Sequence, residues 1–173
     1  MLWKVTIIWR PNVWKSSFFN MFVWHKIAIV DDTSWTTRDI SEYEYTDRDN
    51  NLTYIIADSG WLDFSAKDDE IAEDIIARTR ESLEDSDILV WLLEYDKFTS
   101  IDEDILKMIR QSKKNIPVIV VANKADNEDM EMEAYSLPVC WMFDDFFTCS
   151  VSHHKWFDLL KKEIANKLLK RGL

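Results

Sequence analysis

The chain has 173 residues, 47% of them hydrophobic and 31% charged, with a formal net charge of −11 at pH 7; that is one domain of ordinary size with room for a real core. So large an acidic surplus argues against broad nonspecific contact with nucleic acid, and the longest apolar runs, 88–93 and 117–122, are strand-length, which excludes a membrane span. Two cysteines, Cys140 and Cys149, give neither a disulfide framework nor metal-ligand spacing, and with no signal-peptide layout at the N-terminus they fit a reduced, cytoplasmic protein without a disulfide partner.

In chain order, residues 4–8 form a short β-branched strand, and 15–23 have helical spacing. Residues 42–45 and 52–57 flank the polar turn 47–51 and read as a hairpin. Apolar positions Ile71, Ala72, Ile75, Ile76, Thr79 and Leu83 define an amphipathic helix over 69–83. The continuous run 88–93 suits a strand buried on both faces. A helix over 102–109, a buried strand over 117–121, a helix over 128–137, a short strand over 146–149 and a closing helix over 155–169 complete the pattern. These elements call for an α/β fold: a mostly parallel, six-stranded sheet with one antiparallel strand from the hairpin, right-handed crossovers and helices on both faces. Ligands in such folds sit at the carboxyl ends of the strands.

The notable strings all follow strands. After the first comes Trp9-Arg-Pro-Asn-Val-Trp-Lys-Ser-Ser17, which would be the phosphate-loop pattern G-x-x-x-x-G-K-S if glycine stood at 9 and 14. Asp58-Ser-Gly-Trp61 follows the hairpin, Asn123-Lys-Ala-Asp126 follows the strand over 117–121, and Ser150-Val151 follows the last strand. Each is modest alone, and Asn-Lys-x-Asp can be no more than a polar turn. Their order and their placement after strands carry the reading.

With R-P-N-V-x-K-S-S, I-A-I-V-D-D-T, T-T-R-D-I-S-E-Y-E-Y, the stretch 62–81 and V-A-N-K-A-D-N in place, the chain resembles the translation-factor-like P-loop GTPases. Among them it is most similar to the first G domain of the bacterial Der (double-Era-like) family. The similarity covers nearly the whole chain and is weakest over 138–154. The resemblance implies a Ras-like P-loop fold, GTP and GDP as ligands, Mg²⁺ and K⁺ as ions, and a role in maturing the large ribosomal subunit. It also implies that residues 1–173 are one monomeric G domain, the N-terminal part of a longer protein with a second G domain and a KH-like domain.

By the same resemblance, Lys15 reaches the β- and γ-phosphates, and the backbone of Trp9, Val13, Trp14 and Ser17 wraps them at the start of a helix. Ser16 and Thr37 hold Mg²⁺, with Asp58 reaching it through water. The catalytic set is Lys15, Thr37 and Asp58, and Trp61 occupies the position whose amide meets the γ-phosphate. Asn12 matches the position that helps hold potassium, and Leu62 stands where many GTPases place a water-orienting glutamine; slow, potassium-assisted turnover is expected. Asp126 accepts from the guanine N1–H and 2-amino groups, a donor pair that adenine lacks, so the site prefers GTP. Asn123 supports the base, Lys124 lies over its plane, and the backbone of Ser150 and Val151 meets the guanine oxygen.

One departure is systematic. The chain has 2 glycines and 9 tryptophans, against roughly 12 glycines at the usual share. Trp9, Trp14, Trp24, Trp35, Trp61, Trp141 and Trp156 fall where the family pattern has glycine, whereas Trp91 and Trp3 replace large apolar or aromatic residues. Two readings stay open. Taken literally, indoles at 9, 14 and 61 fill the phosphate volume and leave a pseudo-GTPase that only docks to partners. Alternatively, the codon UGA means glycine in some bacterial lineages and tryptophan in others, and these glycines are misread. The second reading explains why Lys15, Ser16, Thr37, Asp58, Asn123, Lys124 and Asp126 are all intact, since random decay would not spare every polar ligand.

Other features read more simply. His153 and His154 are loop residues, the acids 68–74 are a solvated helix face, Arg38 and Asp39 make a local pair or meet a partner, and the basic stretch 161–171 is the outer face of the last helix.

Overall fold

The structure, a computed structural model, describes residues 2–10, 27–29, 41–59, 68–150 and 155–172. The predicted helix over 15–23 lies outside them. Among the described residues seven strands are present: β1 Lys4–Trp9, β2 Ile27–Ile29, β3 Ser41–Asp47, β4 Leu52–Asp58, β5 Ile88–Glu94, β6 Val118–Asn123 and β7 Phe146–Thr148. The described residues also hold four α-helices: α1 Asp68–Asp85, α2 Ser100–Gln111, α3 Glu128–Ala134 and α4 Lys155–Arg171.

The strands form one sheet in the order β2-β3-β4-β1-β5-β6-β7. Among these described strands β3 alone runs against its neighbours, pairing antiparallel with β2 and β4, while β1 pairs parallel with both β4 and β5. The architecture is the expected one, with the three-residue β2 added at the sheet edge. The chain order reverses across β1, which makes the carboxyl ends of β4, β1 and β5 the crevice where such sheets take ligands.

Period-two alternation divides the core. Val5, Ile7, Ile88, Val90, Leu92, Ile119 and Val121 face α4, meeting Phe157, Leu160, Ile164 and Leu168. Their alternates Ile8, Leu89, Trp91, Leu93, Val118 and Val120 face the other helices, meeting Ile75, Leu83 and Ile105. The six-residue apolar run 88–93 therefore has no wet face, and with Glu94 behind it every residue of β5 is buried. Trp91, 0% exposed, stacks tilted on Phe98 and edge-on to Phe143.

Local chemistry sets the boundaries. Asp47 accepts the amides of Asp49 (3.1 Å) and Asn50 (3.3 Å), and Asn51 takes φ 52°, closing the hairpin. Thr99 and Asp102 form a capping box that starts α2. α3 ends at Ala134, earlier than the expected 137, because Leu137 precedes Pro138 and is held extended at ψ 138° before a short 3₁₀ turn.

The expectation that 161–171 is an outer face fails at its first residue. Lys161 is 3% exposed, with Nζ 2.7 Å from Asp49 Oδ2, 3.3 Å from Asp158 Oδ1 and 5.4 Å from the Phe157 ring centroid. Its long stem packs inward while the ammonium reaches two exposed acids.

Candidate functional site

The strand ends bring Asp58, Asn123, Lys124, Asp126 and Ser150 to one edge of the sheet, with Trp9 at the end of β1. Asn12, Val13, Trp14, Lys15, Ser16, Ser17, Thr37, Trp61 and Val151 lie outside the described residues. The readings of Arg38, Asp39, Leu62, His153 and His154 lie outside them too.

Asp58 ends β4 at 3% exposure. Its Oδ1 accepts the Trp9 indole Nε1–H at 3.2 Å, and the next residue, Ser59, receives Arg78 through its carbonyl at 2.8 Å. The ends of β1 and β4 and the middle of α1 are thereby tied together beneath the crevice.

The other half of the site is built from two adjoining loops. Cys149 N–H donates to the Ala122 carbonyl (2.8 Å) and Ala125 N–H to the Cys149 carbonyl (3.0 Å), which lays the turn after β6 against the turn after β7. Asn123, 1% exposed, accepts Lys124 N–H (2.8 Å) and the Cys149 thiol (3.1 Å) on Oδ1. Its Nδ2 donor is buried and has no partner among the described residues. Lys124 takes φ 69°, a left-handed backbone that costs a residue with Cβ about 1 kcal/mol or more. That turn sends Asp126 to the exposed mouth, where its carboxylate accepts the Ser150 hydroxyl at 2.7 Å. The Ser150 carbonyl, in turn, accepts the Trp156 indole N–H at 2.7 Å from α4. Burial pushes the Cys149 thiol well above its ordinary range, which makes it a packing residue.

Sequence reasoning gave no role to Arg10, Glu94 or Asp102, all nearly enclosed. Arg10 Nε donates to Asp102 Oδ2 at 2.9 Å and Arg10 Nη2 lies 3.7 Å from Glu94 Oε2. Glu94 also takes Lys124 (2.9 Å) and Lys97 (3.2 Å). Burial alone would raise the Glu94 carboxyl, but bonds from Lys124 and Lys97 and the charge of Arg10 outweigh it and hold it low. Burial raises Asp102 against the Thr99 and Arg10 contacts. A signal for each was present: an acid closing an all-apolar run, an arginine opening the loop after β1, and T-x-x-D before a helix.

The arrangement can bind a planar base carrying adjacent N–H donors at Asp126, and it places a buried carboxylate, Asp58, on the far side of the crevice from it. Among the described residues there is no group of three or more His, Cys, Asp or Glu side chains that could hold a metal, and no helix is long and apolar enough to cross a membrane.

The family model described as "50S ribosome-binding GTPase" matches residues 4–124. The protein named GTPase Der from Campylobacter curvus is 31% identical over 165 residues, 95% of this chain and 34% of the relative. GTPase Der from Geobacter metallireducens is 32% identical over 174 residues, 98% of this chain and 38% of the relative. The chain thus spans about a third of the length of these curated relatives, 34% and 38%. Among solved structures, an Aquifex aeolicus Era variant bound to GDP and aluminium fluoride superposes with a TM-score of 0.67 at 23% identity, over 96% of this chain and 57% of that one. That match shares the fold, a mostly parallel sheet with one antiparallel strand. The sheet order and the matched family model agree, and the chain belongs to the 50S ribosome-binding GTPase family.

Proposed function

We propose that the chain is one G domain of a longer tandem GTPase, that it binds GTP and GDP with magnesium and hydrolyses GTP, and that it acts as a nucleotide-dependent switch in maturation of the large ribosomal subunit. One observation carries this: Asp126 stands exposed at the mouth beside Ser150, over a buried Asn123 whose Nδ2 lacks a partner among the described residues. Guanine offers Asp126 two adjacent donors, and a purine without them would strand the carboxylate. Asn123 supports the base edge, Lys124 covers the ring, and Ser150 and Val151 supply backbone at the guanine oxygen.

Lys15 and the loop 9–17 hold the phosphates, and GTP orders the switch containing Thr37 until hydrolysis releases it. Ser16 and Thr37 would ligate magnesium, with Asp58 behind them; that ion, when bound, would neutralise negative charge on the phosphates. The donor set fits, being hydroxyls and a carboxylate, all hard oxygen ligands. Asn12 would hold potassium. The ribosomal role is supported by the description of the matched family.

The test is binding of a fluorescent GTP analogue to the chain as written and to a version with glycine at 9, 14 and 61. The glycine version is expected to bind at least roughly tenfold more tightly, a difference readily measured, and to turn over faster in potassium than in sodium. Equal rates in the two salts would remove the potassium assignment. Binding by neither chain would overturn the GTPase reading and leave a docking module.

A further inference from the structure

Among the described residues, Arg10, Glu94 and Asp102 form a buried cluster with one cation and two anions. Their side chains are 8%, 3% and 0% exposed. A surplus negative charge inside a protein is costly unless it is balanced nearby. Register places Glu94 directly opposite Asn123 in the β5–β6 pairing, so the carboxylate lies next to the turn that carries Lys124. Lys124 is one-third exposed and reaches back 2.9 Å to Glu94 Oε1. It therefore supplies the missing positive charge from the solvent side. Lys97 also reaches Glu94 at 3.2 Å, but its side chain is 61% exposed, where an ion pair is worth little.

The chain of contacts runs on from there. Arg10 is fixed by Asp102 (2.9 Å), and Asp102 Oδ2 is fixed by Thr99 N–H (2.8 Å) and hydroxyl (2.9 Å). Lys124 is fixed at its other end by Asn123 Oδ1 on its amide. A lysine held at both ends presents its four-carbon stem as a preorganised apolar strip.

We propose that Glu94, itself set by Arg10, is a positioning residue that holds Lys124 in its nucleotide-binding pose, so that two buried charges which touch no ligand set the affinity for the base. This rests on the base-site reading above. A free lysine would have to lose most of its side-chain entropy on binding, so releasing it should cost about tenfold in affinity. Guanine and hypoxanthine nucleotides should suffer equally, because the 2-amino group is read by Asp126 and not by Lys124.

The test is a double-mutant cycle on binding of fluorescent GDP, run in the full 173-residue chain as written and with glycine at 9, 14 and 61. Lys124→Ala and Glu94→Gln should each weaken binding about tenfold, and Glu94→Gln should cost nothing further once Lys124 is gone. Arg10→Gln should reproduce the Glu94→Gln loss and Arg10→Lys should restore most of it, which keeps the proposal open to test if Glu94→Gln folds poorly. A merely structural cluster predicts additive losses in the Lys124→Ala background, and additivity overturns the proposal. So does wild-type affinity in both Glu94→Gln and Arg10→Gln alongside a weakened Lys124→Ala, which leaves the base site standing. Wild-type affinity in Lys124→Ala removes the base-site assignment and the proposal with it.

Discussion

Trp9 donates its indole N–H to Asp58 Oδ1 across 3.2 Å, joining the ends of β1 and β4. Asp58 is 3% exposed, so one oxygen of a nearly buried carboxylate is spoken for by a side chain that the family pattern does not have. If Asp58 meets a magnesium-bound water as proposed, that bond would compete with it for the carboxylate.

Removing the competitor should therefore strengthen magnesium dependence. Trp9→Gly is expected to make GDP binding tighten on adding magnesium by about tenfold more than the chain as written, the equivalent of one good charge-assisted hydrogen bond. Trp9→Phe, which keeps bulk and loses the N–H, should fall between them. Titration of fluorescent GDP with and without magnesium measures all three, and equal responses would show that the indole does not compete.

Base recognition makes a separate prediction. Xanthine carries a carbonyl where guanine has its 2-amino group, so an amide in place of the Asp126 carboxylate can donate to it. Asp126→Asn should weaken GDP binding by about 1–3 kcal/mol, because the guanine 2-amino group would be desolvated in the complex without its acceptor, and should improve binding of xanthosine diphosphate. Competition between the two nucleotides reads the switch. Unchanged preference would move base recognition away from Asp126.

Much of this was legible in the sequence for a physical reason. Strands buried on both faces, such as β5, must be continuously apolar, and their ends must carry whatever meets water; Asp58, Asn123 and Asp126 stood out because they break such runs. Burial of polar side chains was not legible. Lys161 read as outer surface because periodicity cannot see that Asp49 and Asp158 wait for its ammonium. Arg10 and Glu94 drew no role because the contacts that bury them, to each other, to Asp102 and to Lys124, join residues far apart along the chain. Strand β2 escaped because three residues are too few for a period to register.

Two tyrosines at the β3–β4 pairing should govern alkaline stability. Burial, with the nearby acids, pushes Tyr45 up to about 12 from 10.0, while burial and the charge of Tyr45 raise Tyr54 further. Both folded values lie above the unfolded one, so the unfolded chain releases these protons first. Stability is then fully present below pH 10 and falls as pH rises from 10 through about 12. Unfolding followed by tyrosinate absorbance should show these two residues ionising together with loss of structure. Tyr54→Phe should blunt the fall. It should also be neutral or stabilising by about 1 kcal/mol at pH 7, because the Tyr54 hydroxyl is buried without a partner among the described residues.

The tryptophans themselves divide by environment. Trp91 is 0% exposed and packs against Phe98 and Phe143 in the core; a large apolar side chain is needed there, and its loss would leave a cavity costing about 3–5 kcal/mol. Trp141 is 84% exposed at the end of a 3₁₀ turn, and a large apolar ring so placed buries almost nothing. If UGA codons were read with the wrong table, peptide mass spectrometry of the protein from its own cells should find tryptophan at 3 and 91 and glycine at 9, 14, 24, 35, 61, 141 and 156. Trp156 is the sternest position in that set. It is 6% exposed, edge-on to Phe157 and bonded to the Ser150 carbonyl, so glycine there would require α4 to settle closer to the sheet. Tryptophan at 9, 14 and 61 in the native peptides would end the decoding explanation and leave the literal, docking-only chain.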